Sequence, residues 1–544
     1  MKQNIRHITE MPLLINFIII GILIFFSQCK EGYRIELMEK AGTIEGEIEN
    51  YDGESKSGKL TYFDGIGRII KNEIFAIDST GKFIVLFDVP SPIYDAAYLD
   101  LNGKMYFPFL EPGKKLKVKI KNNSIEYLGE SGISNIQIKQ VNDTLYKKLK
   151  NEIDHCRMLH TTDIEYKDYL QQQINLSNKK IAFINEYEKT NFINPCVINA
   201  IKKEALYSAA HSWITFRFDY SNGRPQERDT LFNNFYEDLF IAYPINDIDA
   251  VVSRKYMDYI SNIKDVLSES KSIGTRIEFI KKSGMFSDNE LKLIQGLYNQ
   301  DTTIRNSEEY LQFRNSDSFT KWIDLGNKYL FHCVLNSCKN LPKGIGRDLV
   351  ISQAMCDFYF TYSYIQPTKD EWDQAKDLID SEFVLEYLLN IDNSYKAKSS
   401  KKIGSPEIPE SVRVSAQNLN DKIVGKYLGK VVYVDFYATW CSPCKDEVPY
   451  SKMLIEKFKN EDVVFLFLCC QSSKKSWEKL VEHDNLNGEH YFVSNSEYTQ
   501  LSIFYEVNGF PTYVLIDKKG NIVSKQASRP SMGEVVAKEI EKLL

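Results

Sequence analysis

Two cysteines separated by two residues, Cys441 and Cys444, stand in the run Tyr437-Ala438-Thr439-Trp440-Cys441-Ser442-Pro443-Cys444, directly behind the apolar stretch Val431-Val432-Tyr433-Val434-Asp435-Phe436. A buried strand feeding into a helix places Cys441 in the first helical turn. There the unpaired backbone N–H groups and the positive end of the dipole stabilise a thiolate. Cys444 then lies one turn further on, within disulfide reach. This is the pattern of a redox-active dithiol. The alternatives are half of a zinc site and a structural disulfide without turnover. Zinc needs a second Cys or His pair at knuckle-like spacing, and the adjacent Cys469 and Cys470 do not have it, so no metal is assigned.

The elements that must hold this dithiol are legible on either side. Val463 to Leu468 is a continuous apolar strand and Lys474 to Glu482 an amphipathic helix. Asp517-Lys518-Lys519-Gly520-Asn521 reads as a hairpin turn before Ile522-Val523, and Glu534 to Leu544 as a closing helix. Strands alternating with helices of this length imply a central sheet covered on both faces.

These residues resemble the thioredoxin superfamily, and within it the TlpA/ResA-like thiol-disulfide oxidoreductases, over about residues 412 to 544. Asp435 stands six positions before Cys441, where thioredoxins carry a buried acid that accepts a proton from the resolving cysteine; many TlpA-like proteins have Asn there. The competing reading is an Asp that merely ends its strand. Glu447 and Pro449 complete a C-x-x-C-x-x-E-x-P pattern typical of the TlpA-like branch. Glu447 is either a proton-exchange partner within two helical turns of the dithiol or an ordinary exposed helix glutamate; Pro449 is expected to kink the helix. Gly509-Phe510-Pro511-Thr512, before the strand Tyr513-Val514-Leu515-Ile516, matches the family's cis-proline loop. The resemblance implies that backbone beside Phe510 and Pro511 pairs with an extended substrate peptide and that the proline keeps metal from the dithiol. An ordinary trans proline entering an edge strand is the alternative.

In this reading Cys441, at an exposed helix start, attacks a substrate disulfide and Cys444 resolves the mixed disulfide. Trp440 shields the site and offers an apolar contact, or simply packs. Ser442 and Pro443 put no charge between the sulfurs, so a couple nearer about −270 mV than the about −120 mV of strong oxidants is expected. Lys445 is expected to lower the pKa of Cys441 a little. A peroxiredoxin is the nearest rival in fold, but that family needs a Thr three residues before its reactive Cys, where Ala438 stands. No cofactor beyond the Cys441/Cys444 disulfide is implied.

The other end of the chain indicates where this chemistry takes place. Lys2 and Arg6 precede Met11 to Phe26, an uncharged and almost wholly apolar stretch interrupted only by Asn16, and Ser27-Gln28-Cys29 follows. This is an export signal, and its apolar core of about 24 Å as a helix is short for a bilayer of about 30 Å. Cys29 sits where a bacterial lipoprotein signal places its lipidated cysteine, although Phe26 and Gln28 depart from the usual lipobox. Lipidation at Cys29 is the first reading; an uncleaved anchor and plain secretion are the alternatives.

With 544 residues the chain is expected to hold about three domains, and 33 Tyr and 31 Phe are enough to build large cores. The ten cysteines do not cluster as a disulfide framework. A net charge of −6 gives no basic footprint for nucleic acid. Residues 36–125 read as a β-sandwich: Thr43 to Ile48, Leu60 to Phe63 and Phe83 to Phe87 are strand-like, Asn102-Gly103 marks a hairpin, and Leu116 to Ile120 alternates cleanly. This unit resembles the N-terminal β domain of many Bacteroidota TlpA-like lipoproteins, and a contact surface or spacer is the expected role. Residues 126–392 read as all-α. Val141, Leu145, Leu149 and Ile153 share a face, and Ala200 to Ala210, Phe319 to Val334 and Trp372 to Leu389 follow the same period. Within this region His155, Cys156 and His160 are read as surface and core residues rather than a metal cluster, and Cys196, Cys333, Cys338 and Cys356 as small buried hydrophobes, a Cys333–Cys338 disulfide being the alternative for that pair. Residues 393–411, Ser-rich and then Pro-containing, read as a linker to the 412–544 thioredoxin-like unit.

The expected whole is a multidomain chain: an export segment (1–29), a β-sandwich, an all-α region and a C-terminal α/β thioredoxin-like fold. Its expected function is envelope-anchored thiol-disulfide exchange with protein substrates. By resemblance, electrons come from a membrane thiol transporter of the DsbD/CcdA kind. The alternatives are an envelope binding or scaffold protein with an accessory redox module, and a disulfide isomerase.

Overall fold

A computed structural model describes residues 35–38, 40–53, 57–101, 104–122, 124–159, 166–221, 239–268, 273–299, 301–305, 307–314, 317–360, 367–399, 410–484, 487–507 and 509–544. The export segment with Cys29, His160, and the Asn102-Gly103 turn lie outside these residues. Among the described residues no helix is long and apolar enough to cross a membrane.

The N-terminal unit consists of two four-stranded sheets sharing one core. Its strands are β1 (Ala41–Ile48), β2 (Ser57–Phe63), β3 (Ile70–Ala76), β4 (Lys82–Asp88), β5 (Ala97–Leu101), β6 (Lys104–Tyr106), β7 (Lys115–Lys121) and β8 (Ser124–Leu128). The first sheet runs β4-β1-β7-β8 and the second β3-β2-β5-β6. Alternation sets the core: Phe83, Val85 and Phe87 of β4 and Leu116, Val118 and Ile120 of β7 line the inner face of the first sheet. The apolar run Phe83 to Phe87 of β4 is therefore not buried on both faces, since Ile84 and Leu86 are exposed. β8 carries the sheet to Leu128, past the expected boundary at 125, because it pairs antiparallel with β7.

Helices fill the middle of the chain, and their apolar stripes form one large core that includes Val141, Leu145, Leu149 and Ile153. The stretch Trp372 to Leu389, read as one helix, is two: Lys369–Leu378 and Glu382–Ser399. The break is stabilised by Asp348, whose carboxylate accepts the backbone N–H groups of Asp380 (3.1 Å) and Ser381 (2.8 Å). The second helix also runs through residues 393–399, where a linker was expected. Tyr395 packs on Tyr359 and Lys396 pairs with Asp392 one turn back, at 2.5 Å. Residues 400–409 lie outside the described residues. Cys333, Cys338 and Cys356 are buried thiols, as are Cys156 and Cys196, while His155 on the same helix as Cys156 is exposed.

The β unit and the helical region share buried polar contacts. Asp64, 1% exposed, accepts the N–H groups of Ile66 (3.1 Å) and Gly67 (2.7 Å) on one oxygen and the Tyr387 hydroxyl (2.5 Å) on the other. Gly67 must be glycine in this packing, since a Cβ would lie 2.6 Å from the Tyr387 oxygen and 2.7 Å from the Cys356 sulfur.

The C-terminal unit is a five-stranded sheet of order β11-β10-β9-β12-β13. Its strands are β9 (Val431–Tyr437), β10 (Val463–Cys469), β11 (Glu489–Phe492), β12 (Thr512–Ile516) and β13 (Ile522–Ser524). Its helices are α1 (Glu410–Val424), α2 (Ser442–Lys457), α3 (Lys474–Asp484), α4 (Asn495–Phe504) and α5 (Glu534–Glu541). β9 and β10 are parallel, β12 runs antiparallel to β9, and separate apolar clusters cover the two faces of the sheet. This unit does not hang from its connection alone: α4 packs on β2 and α1 on β3 of the N-terminal unit.

Replacing Asp64 by Ala would leave two backbone N–H groups and a hydroxyl buried without their acceptor, so the first unfolding transition is expected to lose about 2–4 kcal/mol. Thermal and urea denaturation of the full chain measure this; a loss below about 0.5 kcal/mol would show that the contact does not join the two units.

Candidate active site around Cys441 and Cys444

β9 is the central strand, and Val431 to Phe436 are all buried in it. The chain leaves it through Ala438 and Thr439, whose N–H donates to the Ser472 hydroxyl at 2.9 Å. Cys441 is the N-cap of α2, in extended conformation, and its sulfur accepts the Cys444 N–H at 3.2 Å. Pro443 sits in the first turn, where a missing N–H costs nothing. Cys441 and Cys444 are joined as a disulfide with their Cα atoms 5.3 Å apart. The helix continues through Pro449 to Lys457, and Lys445 stands exposed in its first turn.

One expectation is corrected here: Cys441 is not exposed. It is 4% exposed and Cys444 7%, because Ala438, Tyr437 and Phe510 pack around the pair. Exposure is carried instead by Trp440, 62% accessible, whose indole N–H donates to the Gln471 carbonyl at 2.8 Å and whose ring meets Phe510 edge-on at 5.9 Å. The Phe510-Pro511 bond is cis. Phe510 touches Tyr498 of α4 on its other side, at 5.7 Å between ring centroids.

Asp435 lies between Phe467 and Tyr513 in register, on the central strand. Its Oδ1 has no hydrogen-bond partner among the described residues. Burial, with the Glu447 charge adding to it, pushes its pKa up to about 8. A cavity of about 30 Å³ is lined by Asp435, Ala438, Cys444, Val448, Phe467 and His490. That volume is about enough for a single water molecule.

Glu447 is not an exposed helix glutamate either. It is 6% exposed, and Ser531 donates both its N–H and its hydroxyl to the carboxylate, each at 2.8 Å. The sequence carried no sign of this partner, 84 positions away. Gln471, Ser472, Tyr498 and His490 also escaped notice, for the same reason: each reaches the site through tertiary packing. Cys469 and Cys470 are buried thiols, not a second disulfide, and burial raises the pKa of both. Among the described residues no group of three or more Cys, His, Asp or Glu could hold a metal ion.

A helix-capping cysteine disulfide, a buried acid behind it and a cis-proline loop in front define a thioredoxin-fold dithiol site. Residues 402–541 match the family model described as Redoxin. Over 130 residues the chain is 30% identical to the thiol-disulfide oxidoreductase ResA of Geobacillus kaustophilus, a match covering 24% of this chain and 72% of that one. It is 33% identical over 97 residues to the Bacillus cereus protein of that name, covering 18% of this chain and 54% of its relative. The chain belongs to the ResA-like thiol-disulfide oxidoreductases, and spans about half the length of the Bacillus cereus relative. Among solved structures it is similar to the thioredoxin domain of a thiol-disulfide oxidoreductase from Bacteroides vulgatus, at 26% identity and a TM-score of 0.20, covering 22% of this chain and 82% of that one.

The raised Asp435 pKa has a signed consequence. The folded chain holds a proton at Asp435 that the unfolded chain releases near pH 4, so this group's contribution to stability is complete below that pH and is lost as pH rises through about 8. Asp435→Asn is therefore expected to raise the stability of the oxidised protein relative to wild type at pH 8.5 by at least about 1 kcal/mol more than at pH 4.5. Paired melting curves at the two pH values check this, and equal differences would mean that Asp435 titrates normally.

Proposed function

We propose that the chain is an envelope-anchored thiol-disulfide oxidoreductase that reduces disulfides in protein substrates. The observation that carries this reading is the Cys441–Cys444 disulfide capping α2 with a protonatable, desolvated Asp435 across a water-sized cavity. Membership of the ResA-like family supports it.

In the forward reaction the Cys441 thiolate attacks one sulfur of a substrate disulfide. A mixed disulfide forms and one substrate thiolate leaves. Cys444 then loses its proton and attacks the Cys441 sulfur, which restores the internal disulfide and releases the second substrate thiolate. Two electrons pass to the substrate. Asp435 receives the Cys444 proton when it is ionised, above about pH 8; below that pH the departing substrate thiolate takes the Cys444 proton, and protonated Asp435 serves the reverse step, protonating Cys444 as the internal disulfide is reduced. Glu447 is assigned the role of a fixed negative charge that favours the protonated form of Asp435. Trp440, Phe510 and Pro511 offer the apolar, half-open edge for an extended substrate. Ser442 and Pro443 leave the thiolate without an added charge, in keeping with a reducing couple. No cofactor beyond the dithiol is required.

The reading places the protein outside the cytoplasm, held to a membrane through a lipid on Cys29. A membrane thiol transporter of the DsbD/CcdA kind would return electrons to the pair. The equilibrium potential of Cys441/Cys444 is expected near about −270 mV. Cys441→Ser is expected to abolish reduction of a protein disulfide, and Cys444→Ser to trap the mixed disulfide. Thiol trapping with mass spectrometry measures both. A potential near about −120 mV would instead make the protein an oxidant.

A further inference from the structure

Side chains of β2 and β5 alternate between the β core and the outer face of the second sheet. Thr61 and Asp100 belong to the outer face, with Thr61 opposite Tyr98 and Lys59 opposite Asp100. Outer-face residues of a sheet one layer thick should be wet, yet Thr61 is 0% and Asp100 4% exposed. The redox unit covers that face: α4 lies against β2 and α1 against β3. Burial also pulls the Lys59 pKa down, with Asp100 across the strand opposing the shift.

Tyr498 is the α4 residue through which this contact reaches the site. It is buried, and the Tyr98 and Asp100 side chains of β5 stand close enough to act on its hydroxyl electrostatically. Its ring meets Phe510 at 5.7 Å; Phe510 meets Trp440 at 5.9 Å and packs on Cys441 and Cys444. The row of ring contacts from Tyr498 through Phe510 to Trp440 and the dithiol thus starts on the helix that lies against the β domain. α4 is further fixed at its start by a capping box of Ser494 and Glu497.

We propose that the N-terminal β domain is a working part of the redox site: by bearing on α4 it fixes Tyr498, a positioning residue that holds Phe510 and so shapes the edge receiving an extended, disulfide-bearing peptide. This rests on the dithiol-exchange reading above. The β domain is then more than a spacer between membrane and redox unit. Small disulfides, which need no peptide edge, are indifferent to it.

Two variants of the full chain test this. Thr61→Arg puts a long charged side chain into the α4 contact without touching the β core. Tyr498→Leu removes the ring behind Phe510. Both are expected to raise KM for a disulfide-linked peptide by about fivefold or more. In Thr61→Arg, kcat for hydroxyethyl disulfide and the Cys441/Cys444 potential are expected to stay within about twofold and unchanged, respectively. Peptide KM unaltered in Thr61→Arg, while small-angle scattering shows the units separated, would overturn the proposal. So would a parallel loss of small-disulfide turnover and a shifted potential, which would mark general damage to the fold. A wild-type chain that reduces neither substrate would refute the dithiol-exchange reading alone. The positioning of Phe510 would still be measured by alkylation of reduced Cys441 with a bulky maleimide: expected faster in Thr61→Arg, and overturned by an equal rate.

Discussion

A carboxyl group set into the middle strand of a fully covered sheet is the constraint on which the rest of the redox unit turns. Asp435 is surrounded by apolar and aromatic side chains that cannot solvate an anion, so the folded chain favours its neutral form. Glu447 adds a second negative charge nearby, and its own desolvation is met by two hydrogen bonds from Ser531. Clamped in that way, Glu447 keeps its charge close and unscreened; an exposed glutamate in water would exert far less. The loop around Ser531 and the helix that carries the dithiol are thereby joined at the group that tunes the acid.

What could be read in the sequence was local. The strand into Cys441, the helix behind it and the loop at Phe510-Pro511 each declare themselves within about ten residues, and all three stand where their patterns put them. The β4 and β7 alternations and the buried helical faces likewise follow from a period of 2 or 3.6. Misreadings arose where a distant partner decides. Two readings stayed open for Glu447 because nothing near it in sequence receives it, and Cys441 looked exposed because Phe510 covers it from far downstream. The helix break near Ile379 is likewise stabilised by Asp348, whose hydrogen bonds could not be foreseen from helical periodicity.

The same limit explains why the N-terminal unit could be read only as a contact surface or a spacer. A strand with alternating polar residues normally turns them to water, and β2 and β5 gave no sign that their polar side is covered. Only the assembled chain shows Thr61 and Asp100 beneath the redox unit. Covering polar groups releases little hydrophobic energy, so this contact adds modestly to stability. Its value lies in placement: it sets α4 and α1 of the redox unit against the second sheet.

A contact of this kind matters most where the site has least structure of its own. The peptide-receiving edge is a loop, Gly509 to Pro511, with Phe510 held by ring contacts to Trp440 on one side and Tyr498 on the other. Trp440 is itself 62% exposed and tied by one hydrogen bond to Gln471, so it is the yielding side. Tyr498 is buried in the α4 core and is the rigid side. On the proposed reading a substrate meets Phe510 from the exposed Trp440 side, and the surface behind Tyr498 is the one supplied by the β domain. The opening over Cys441 is in this way set from outside the redox unit, while the proton behind Cys444 is set from within it.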